Sequence, residues 1–185
     1  MKSTPQIIRM TPDEYGNRGE NLDIFYGVFE SKYGLCVVAS TEKGVCSFHF
    51  IDKAQDAKRD LKVRWPNASI IEKESRMHTY AIEYIATGTL HPDLVLHIHG
   101  TDFQLEVWET VMKIREGDTD TYSSVAVKLG KSGSQRAVGT AIGNNPIGYI
   151  IPCHRVTGAR GSMGGYRWGI ERKQALLAQE AIQRK

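Results

Sequence analysis

Three consecutive residues near the C-terminus, Cys153, His154 and Arg155, combine a thiol, an imidazole and a guanidinium in the stretch YIIPCHRVTG. A free thiol has a pKa of about 8.5 and becomes a nucleophile at neutral pH when a base takes its proton. The apolar residues 149–151 predict the end of a buried strand, and Pro152 fixes the backbone just before the thiol. Neighbouring side chains of an extended segment point to opposite sides, so we expect a water molecule to connect Cys153 with His154. A buried, inert cysteine is the commoner alternative.

A carboxylate in the last predicted helix completes this group. In the stretch ERKQALLAQEAI, the helical period places Glu180 on one stripe with Leu176, Leu177 and Ala181, so its side chain faces the core. A buried carboxylate needs a partner, and the imidazole of His154 is a suitable one. The sequence therefore predicts that Glu180 orients His154, which activates the thiol through water.

Thirteen residues, TGARGSMGGYRWG at 157–169, connect the triplet to the last helix. Five of them are glycines, which predicts a long flexible loop. With Tyr166 and Trp168 it has the side chains to close over a flat ligand. A plain surface loop is the alternative.

The elements that must position the triplet lie directly before it. YSSVAVKLG (122–130) and SQRAVGTAIG (134–143) predict two short helices joined by a glycine-containing turn, a helix-turn-helix candidate. The second helix carries mainly small residues where a major-groove reader would carry long polar ones. The minor groove is about 6 Å wide, so a helix that enters it needs small side chains and a widened groove. Arg136 has the length to probe the base stack; a buried, closely packed helix is the alternative.

The first half of the chain has a residue pattern that predicts mainly β-strands. β-Branched and aromatic residues predict strands at 25–29, 35–40, 45–51 and 93–100. The turn-like TEKG predicts a hairpin between the second and third of these strands, and apolar spacing predicts a helix over 75–88. After Gly100, a capping box formed by Thr101 and Gln104 predicts the start of a helical region.

Composition sets broad limits on function. The 185 residues are 41% hydrophobic and 24% charged, which is enough for one core or two small lobes. No apolar run approaches the roughly 18 residues of a membrane span, and the N-terminus lacks a signal-peptide core, so we expect a soluble cytoplasmic protein. The net charge is +3, but residues 134–185 hold eight Lys or Arg against two acidic residues. This basic half suits an anionic partner such as nucleic acid, and a solvated cationic surface explains the charge as well.

The stretches IPCHRV, GGYRWG and LLAQE resemble the O6-alkylguanine-DNA alkyltransferases, also called methylated-DNA–protein-cysteine methyltransferases, over about residues 21–180. YRWG is most similar to the C-terminal half of Ada-type proteins. The resemblance implies that Cys153 is the alkyl acceptor, His154 its water-mediated base and Glu180 the orienting carboxylate. It also implies an α/β two-lobe fold, with an N-terminal RNase H-like β-lobe and a C-terminal all-helical lobe that contains a winged-helix-like helix-turn-helix and the cysteine.

Further residues match positions of the family's site. Asn145 matches an asparagine hinge between recognition helix and active-site strand, Tyr122 a tyrosine that assists nucleotide rotation and protonates guanine, and Arg136 an arginine finger. Ala137 and Thr140 are expected DNA contacts on the same helix as Arg136. The expected substrate pocket comprises Val156, Tyr166, Arg167 and Trp168. Arg155 is left with a structural or phosphate-facing role.

The function implied by the resemblance is single-turnover DNA repair. An O6-alkylguanine, with O4-alkylthymine as a further candidate, is flipped out of double-stranded DNA and its alkyl group moves to Cys153. A monomer without cofactor, metal or membrane contact, associated with the nucleoid through DNA, is expected. A non-catalytic lesion-binding or regulatory module is the main alternative, and Cys153 argues against it. A cysteine hydrolase is less favoured, since no oxyanion hole is evident.

Two features, the residues at a zinc site and the size of a pocket residue, differ from some relatives. Cys36 and Cys46 lie on predicted hairpin strands without a Cys/His quartet, so we expect core residues and no zinc. His97 and His99 would add two ligands at most. Trp168 stands where some relatives have glycine, which predicts poorer acceptance of bulky alkyl groups.

The resemblance also suggests a division of the chain. Residues 1–20 are expected to be an N-terminal extension similar to the linker of Ada-type proteins. Residues 21–99 would form the N-terminal lobe, and residues 100–185 the DNA-binding alkyltransferase lobe.

Overall fold

A computed structural model describes residues 4–183, apart from the side chain of Gln183. The chain divides between Gly100 and Thr101 into two compact units. The first unit holds a mixed sheet with helices, so the fold is α/β.

Six strands form the sheet of the first unit: β1 (Gln6–Arg9), β2 (Asp23–Ser31), β3 (Gly34–Ser40), β4 (Val45–Phe50), β5 (Ser69–Glu72) and β6 (Val95–Ile98). Their order is β1-β6-β4-β3-β2-β5. Strands β2, β3 and β4 pair antiparallel, whereas β1, β5 and β6 run parallel to their neighbours. The predicted hairpin is confirmed, since β3 and β4 are joined by the turn in which Thr41 N donates to the Gly44 carbonyl (3.0 Å).

Within the described residues, three α-helices accompany this sheet: α1 (Pro12–Gly19), α2 (Ala57–Arg64) and α3 (Arg76–Thr87). The predicted helix over 75–88 is confirmed by α3, which ends at Gly88 with a left-handed φ of 70° that glycine adopts without strain. Helix α2 packs Ala57 and Leu61 into an apolar cluster with alternate residues of β3, Val37 and Ala39. Burial of such side chains from sheet and helix supplies the main stabilisation of this unit.

Residues 6–19, which were expected to lie in an N-terminal extension, contribute strand β1 and helix α1 to the first unit. Strand β1 pairs with β6 from Gln6 opposite Val95 onward, and Met10 N donates to the Ile98 carbonyl (3.0 Å). Met10 itself is fully buried. Pairing with β1 satisfies the backbone of β6 that would otherwise form an open sheet edge.

The second unit contains four helices and a short ladder within the described residues: α4 (Asp102–Met112), β7 (Asp120–Thr121), α5 (Tyr122–Lys128), α6 (Gln135–Gly143), β8 (Val156–Thr157) and α7 (Ile170–Gln183). The predicted capping box of Thr101 and Gln104 is confirmed at the start of α4. An all-helical lobe was expected, but β7 and β8 pair in parallel.

The predicted strand at 149–151 is wrong. Residues 147–151 instead form consecutive turns, in which Ile151 N donates to the Ile147 carbonyl (3.1 Å) and Cys153 N to the Ile151 carbonyl (2.7 Å). Tyr149 adopts a φ of +65°, which an extended strand excludes. The β-branched residues of this stretch are selected for burial, and their backbone groups are satisfied locally.

Two expectations from the sequence concern a zinc site and membrane contact. Cys36 and Cys46 are fully buried, and burial raises the pKa of each thiol to about 12. Within residues 4–183, no cluster of three or more His, Cys, Asp and Glu side chains is arranged to hold a metal ion. None of the helices in that range is long and apolar enough to cross a membrane.

Candidate active site

Cys153, His154 and Arg155 form a single 3₁₀ turn, and all three are buried. An extended segment with oppositely directed side chains was predicted here, and the observed 3₁₀ turn differs from it. A 3₁₀ helix has about three residues per turn, which directs consecutive side chains about a third of a turn apart. The turn therefore presents thiol, imidazole and guanidinium in three directions from one short piece of backbone.

Glu180 is the partner of both His154 and Arg155. The Nε2 atom of His154 lies 2.7 Å from Glu180 Oε1. Arg155 donates from Nε to Glu180 Oε2 (3.0 Å) and from Nη2 to Glu180 Oε1 (2.9 Å), while its Nη1 donates to the Ile114 carbonyl (2.7 Å). Gly117 N adds a longer bond to Glu180 Oε2 (3.3 Å). Arg155, which the sequence left between two roles, is thus a buried structural partner of Glu180.

Electrostatics fix the protonation of this network. Burial alone would raise the pKa of Glu180, but hydrogen bonds from His154 and Arg155 outweigh it and hold the pKa at about 2. Burial lowers the pKa of His154, against the opposing influence of Glu180. A neutral imidazole beside an ionised carboxylate carries its proton on Nε2, so the lone pair is on Nδ1. Among the described residues, that buried Nδ1 has no hydrogen-bond partner.

The thiol of Cys153 is protonated at neutral pH. Burial raises its pKa to about 11, although a hydrogen bond with Asn145 and the charge of Lys173 act in the opposite direction. Asn145 also connects the end of α6 to the turns that follow: its Nδ2 donates to the Ile151 carbonyl and its Oδ1 accepts from Ile147 N, both at 2.9 Å. Asn145 thereby fixes the backbone that leads to the thiol.

A cavity of about 390 Å³ contains the thiol in its wall. Ligand sites in proteins range from about 300 to 1,000 Å³, so this volume suits a small planar molecule. Of the residues proposed from the sequence, the lining includes Cys153, Asn145, Tyr122, Tyr166, Arg167 and Trp168. The remaining lining residues come from α6 and the loop: Gly139, Ile142, Gly143 and Gly165.

Val156 is not part of this lining, which corrects its assignment to the pocket. It is fully buried in β8, where it pairs with Asp120, and its carbonyl accepts a hydrogen bond from Lys173. The pairing with β7 and the hydrogen bond from Lys173 fix the backbone of Val156.

Aromatic rings shape the cavity wall. Tyr166 and Trp168 meet edge to face with centroids 5.2 Å apart. The Trp168 indole lies so close to Gly148 that a Cβ there would be 2.6 Å from Cη2, so glycine is needed for this rotamer. Burial, and to a lesser extent Cys153, raises the pKa of Tyr122, which keeps its hydroxyl protonated. Tyr122 therefore remains a hydrogen-bond donor at neutral pH.

Helix α6 is half exposed, contrary to the alternative of a fully buried helix. Its inner face, Val138, Ala141 and Ile142, is buried, and Trp108 Nε1 of α4 donates to the Ala141 carbonyl (2.9 Å). The outer face carries the proposed DNA contacts, which are all exposed: Arg136, Ala137 and Thr140. Anchoring by α4 leaves an accessible surface made mainly of small side chains.

One buried stripe of α7 differs from the prediction. Ala181 was expected to face inward with Glu180 but is exposed, whereas Lys173, seven residues before Glu180, is fully buried. A lysine is usually assigned to the surface, so only the helical spacing from Glu180 signals its position.

Relatives with established names are similar to this chain in sequence. A methylated-DNA–protein-cysteine methyltransferase of Methanosarcina barkeri is 38% identical over 160 residues, which cover 85% of this chain and 97% of the relative. The chain belongs to the methylated-DNA–protein-cysteine methyltransferase family. Residues 102–182 of this family member also match the model described as 6-O-methylguanine DNA methyltransferase, DNA binding domain.

The chain is also similar to part of a longer protein and to a solved structure. The bifunctional transcriptional activator/DNA repair enzyme Ada of Escherichia coli is 33% identical over 183 residues, 97% of this chain and 52% of Ada. The chain thus spans about half the length of the first curated relatives that it matches. The Mycobacterium tuberculosis OGT structure in complex with DNA superposes with a TM-score of 0.70 at 31% identity, covering 86% of this chain and 94% of OGT.

Proposed function

We propose that this protein repairs DNA by transferring a methyl group from O6 of guanine to the Sγ atom of Cys153. The carrying observation is a thiol in the cavity wall, followed in the same turn by a buried imidazole with an ionised carboxylate behind it. The names of the relatives describe methyl transfer from DNA to a protein cysteine, and OGT was solved with DNA. Ligand class and site chemistry therefore agree.

The first step is removal of the thiol proton. Glu180 holds the Nε2 proton of His154, which leaves the lone pair of Nδ1 as base. A water molecule between Nδ1 and Sγ would carry the proton, since Sγ and Nδ1 leave the turn in different directions. The resulting imidazolium is stabilised by the negative charge of Glu180. Asn145 and the Lys173 charge favour the thiolate as it forms.

The second step is an in-line displacement. The thiolate attacks the methyl carbon, the S–C bond forms, the C–O6 bond breaks and its electron pair remains on guanine. The Tyr122 hydroxyl donates a proton to the departing guanine and so lowers the barrier to its release. The product is a thioether, which water does not hydrolyse under these conditions, so each molecule reacts once.

Access of the base to the cavity requires that the nucleotide leave the duplex, at a cost of a few kcal/mol. Helices α5 and α6 and the turn between them would act as a helix-turn-helix on the minor groove. The exposed Ala137 and Thr140 permit close approach, and Arg136 has the length to fill the space of the extruded base. Tyr122, at the start of α5 and in the cavity wall, lies where the rotating nucleotide would pass.

The first unit would correspond to the RNase H-like lobe of the family. Its antiparallel β2-β3-β4 arrangement, flanked by parallel strands, supports this assignment.

Mass spectrometry after incubation with a duplex that contains one O6-methylguanine tests the proposal. We expect a gain of one methyl group on the Cys153 peptide, saturation at one equivalent, and no gain in Cys153→Ser. An unmodified protein that still binds the lesion would instead identify a lesion-binding module. Repair of many equivalents by one protein molecule would contradict the stoichiometric mechanism.

A further inference from the structure

Lys173 of α7 is a fully buried lysine beside the proposed active site. It lies seven residues before Glu180, two turns earlier on the same face of the helix. Its Nζ donates to the Val156 carbonyl (2.6 Å) and to the Met163 carbonyl (2.5 Å). Both bonds are short, as expected when the donor is charged.

A buried ammonium group destabilises the folded protein unless a partner compensates its charge. Burial of an unpaired cation is strongly unfavourable, and buried lysines are usually paired with a carboxylate. None of the ion pairs formed within residues 4–183 involves Lys173. The Lys173 ammonium interacts electrostatically with the thiol of Cys153. Burial lowers the pKa of Lys173, and the negative charge that forms on Cys153 acts in the opposite direction.

The two carbonyls bound by Lys173 belong to different segments. Val156 follows the thiol-bearing turn directly, whereas Met163 lies in the middle of the glycine-rich loop, residues 157–169. The second half of this loop supplies Gly165, Tyr166, Arg167 and Trp168 to the cavity wall. One ammonium group therefore joins the backbone of the loop to the backbone of the active-site turn.

The same loop contacts Tyr122. Gly164 adopts a φ of +63°, and a Cβ built there would lie 3.1 Å from the Tyr122 hydroxyl. The bond from Lys173 to Met163 is adjacent in sequence to this contact. Displacement of the loop backbone would therefore change both the cavity wall and the surroundings of the proposed proton donor.

We propose that Lys173 is a positioning residue for methyl transfer, which fixes the glycine-rich loop against the active-site turn so that the cavity is formed before the base enters. The expected loss of rate rests on the proposed function. The link that Lys173 forms between the loop and the turn does not depend on that function. Without the link, the loop of five glycines within thirteen residues would sample open conformations.

The variant Lys173→Met tests this role, because methionine has a similar length and flexibility but no donor or charge. Displacement of catalytic groups by about 1 Å can slow a reaction about 100-fold, so we expect the maximal single-turnover rate of methyl transfer to fall about 10- to 100-fold. The DNA concentration for half-saturation should change less than about 3-fold, since the exposed face of α6 is untouched. Backbone amide exchange at residues 158–166 should become faster.

Lys173→Arg and Gln174→Met are the matched variants. Arginine keeps the charge and several donors, so we expect it to restore slow amide exchange and part of the lost rate. Gln174 is exposed on the same helix, and its replacement by methionine should leave rate and exchange as in the wild type. If Lys173→Met does not fold, Lys173→Leu, which also lacks a donor and a charge, takes its place.

Unchanged transfer rate or unchanged loop exchange in the neutral variant would overturn the inference. So would a rate loss that appears wholly as weaker DNA binding. If the wild-type protein transfers no methyl group, that result contradicts the proposed function but not the structural role of Lys173. The exchange measurement needs no DNA and would still decide whether Lys173 fixes the loop.

Discussion

Replacement of Glu180 by glutamine should weaken the fold and slow the reaction through one change of charge. Glu180 is only 1% exposed, and its carboxylate serves His154, Arg155 and Gly117 N. Glutamine keeps the shape and one carbonyl oxygen but leaves the buried Arg155 guanidinium uncompensated. Loss of one partner of a buried ion pair is strongly destabilising.

The magnitude follows from the pKa. Glu180 titrates near pH 2 in the folded protein, against 4.5 for an ordinary glutamate. At about 1.4 kcal/mol per pH unit, that difference corresponds to a stabilisation of about 3 kcal/mol. Removal of one partner from buried ion pairs elsewhere costs about 3–5 kcal/mol, which is consistent.

Urea unfolding of wild type and Glu180→Gln at a series of pH values measures this contribution. Because the folded pKa is depressed, the stabilisation is fully present above pH 4.5 and is lost as pH falls towards 2. We therefore expect a gap of about 3 kcal/mol at pH 7 that closes in acid. The exposed Glu109→Gln should show almost no gap at any pH. A gap for Glu180→Gln below about 1 kcal/mol, or one that persists at pH 2, would refute the reasoning.

Three further outcomes are expected. First, the single-turnover rate should be constant between pH 6.5 and 9, because burial lowers the pKa of His154 from 6.5 and raises that of Cys153 to about 11, so base and thiol keep their protonation states. Second, Trp168→Gly should speed transfer of a benzyl group relative to methyl by about 10-fold or more by widening the cavity, whereas Gly148→Ala should slow methyl transfer because its Cβ would meet the indole at 2.6 Å. Third, the S-methylated protein should melt several degrees below the unmodified one, since a methyl group must fit at Cys153 beside Asn145, at a cost of about 1–3 kcal/mol.

A specific result would contradict each of these three predictions. A rate that rises tenfold per pH unit would mean that free thiolate, and not a relay through His154, is the reactive form. Faster transfer of benzyl than of methyl by the wild type would show that Trp168 does not restrict the cavity. Equal melting temperatures of alkylated and mock-treated protein would exclude strain at the thiol.

Local signals in the sequence predicted the elements that local interactions define. The capping box of Thr101 and Gln104, the hairpin at 35–51 and the helix ending at Gly88 are each specified by residues close in the chain, and the structure confirms them. The spacing that placed Glu180 inward is likewise local, and Glu180 lies 2.7 Å from His154.

The predictions that were wrong concern features that residues close in the chain do not specify. Residues 149–151 are apolar because they are buried, and apolarity alone does not separate a buried strand from buried turns. The distant pairing of β1 with β6 has no local signature, so residues 6–9 were assigned to an extension. The burial of Lys173 depends on carbonyls ten and seventeen residues away in sequence, and its residue type favours the surface.

The carboxylate shared by His154 and Arg155 has an evolutionary consequence. Selection for stability acts on Glu180 through Arg155 even where selection for chemistry has ceased. A descendant that lost Cys153 by drift would keep Glu180 and Arg155, because either loss would leave a buried charge without its partner. Retention of these two residues in a related sequence therefore reports an intact fold, and the cysteine must be present before activity is inferred.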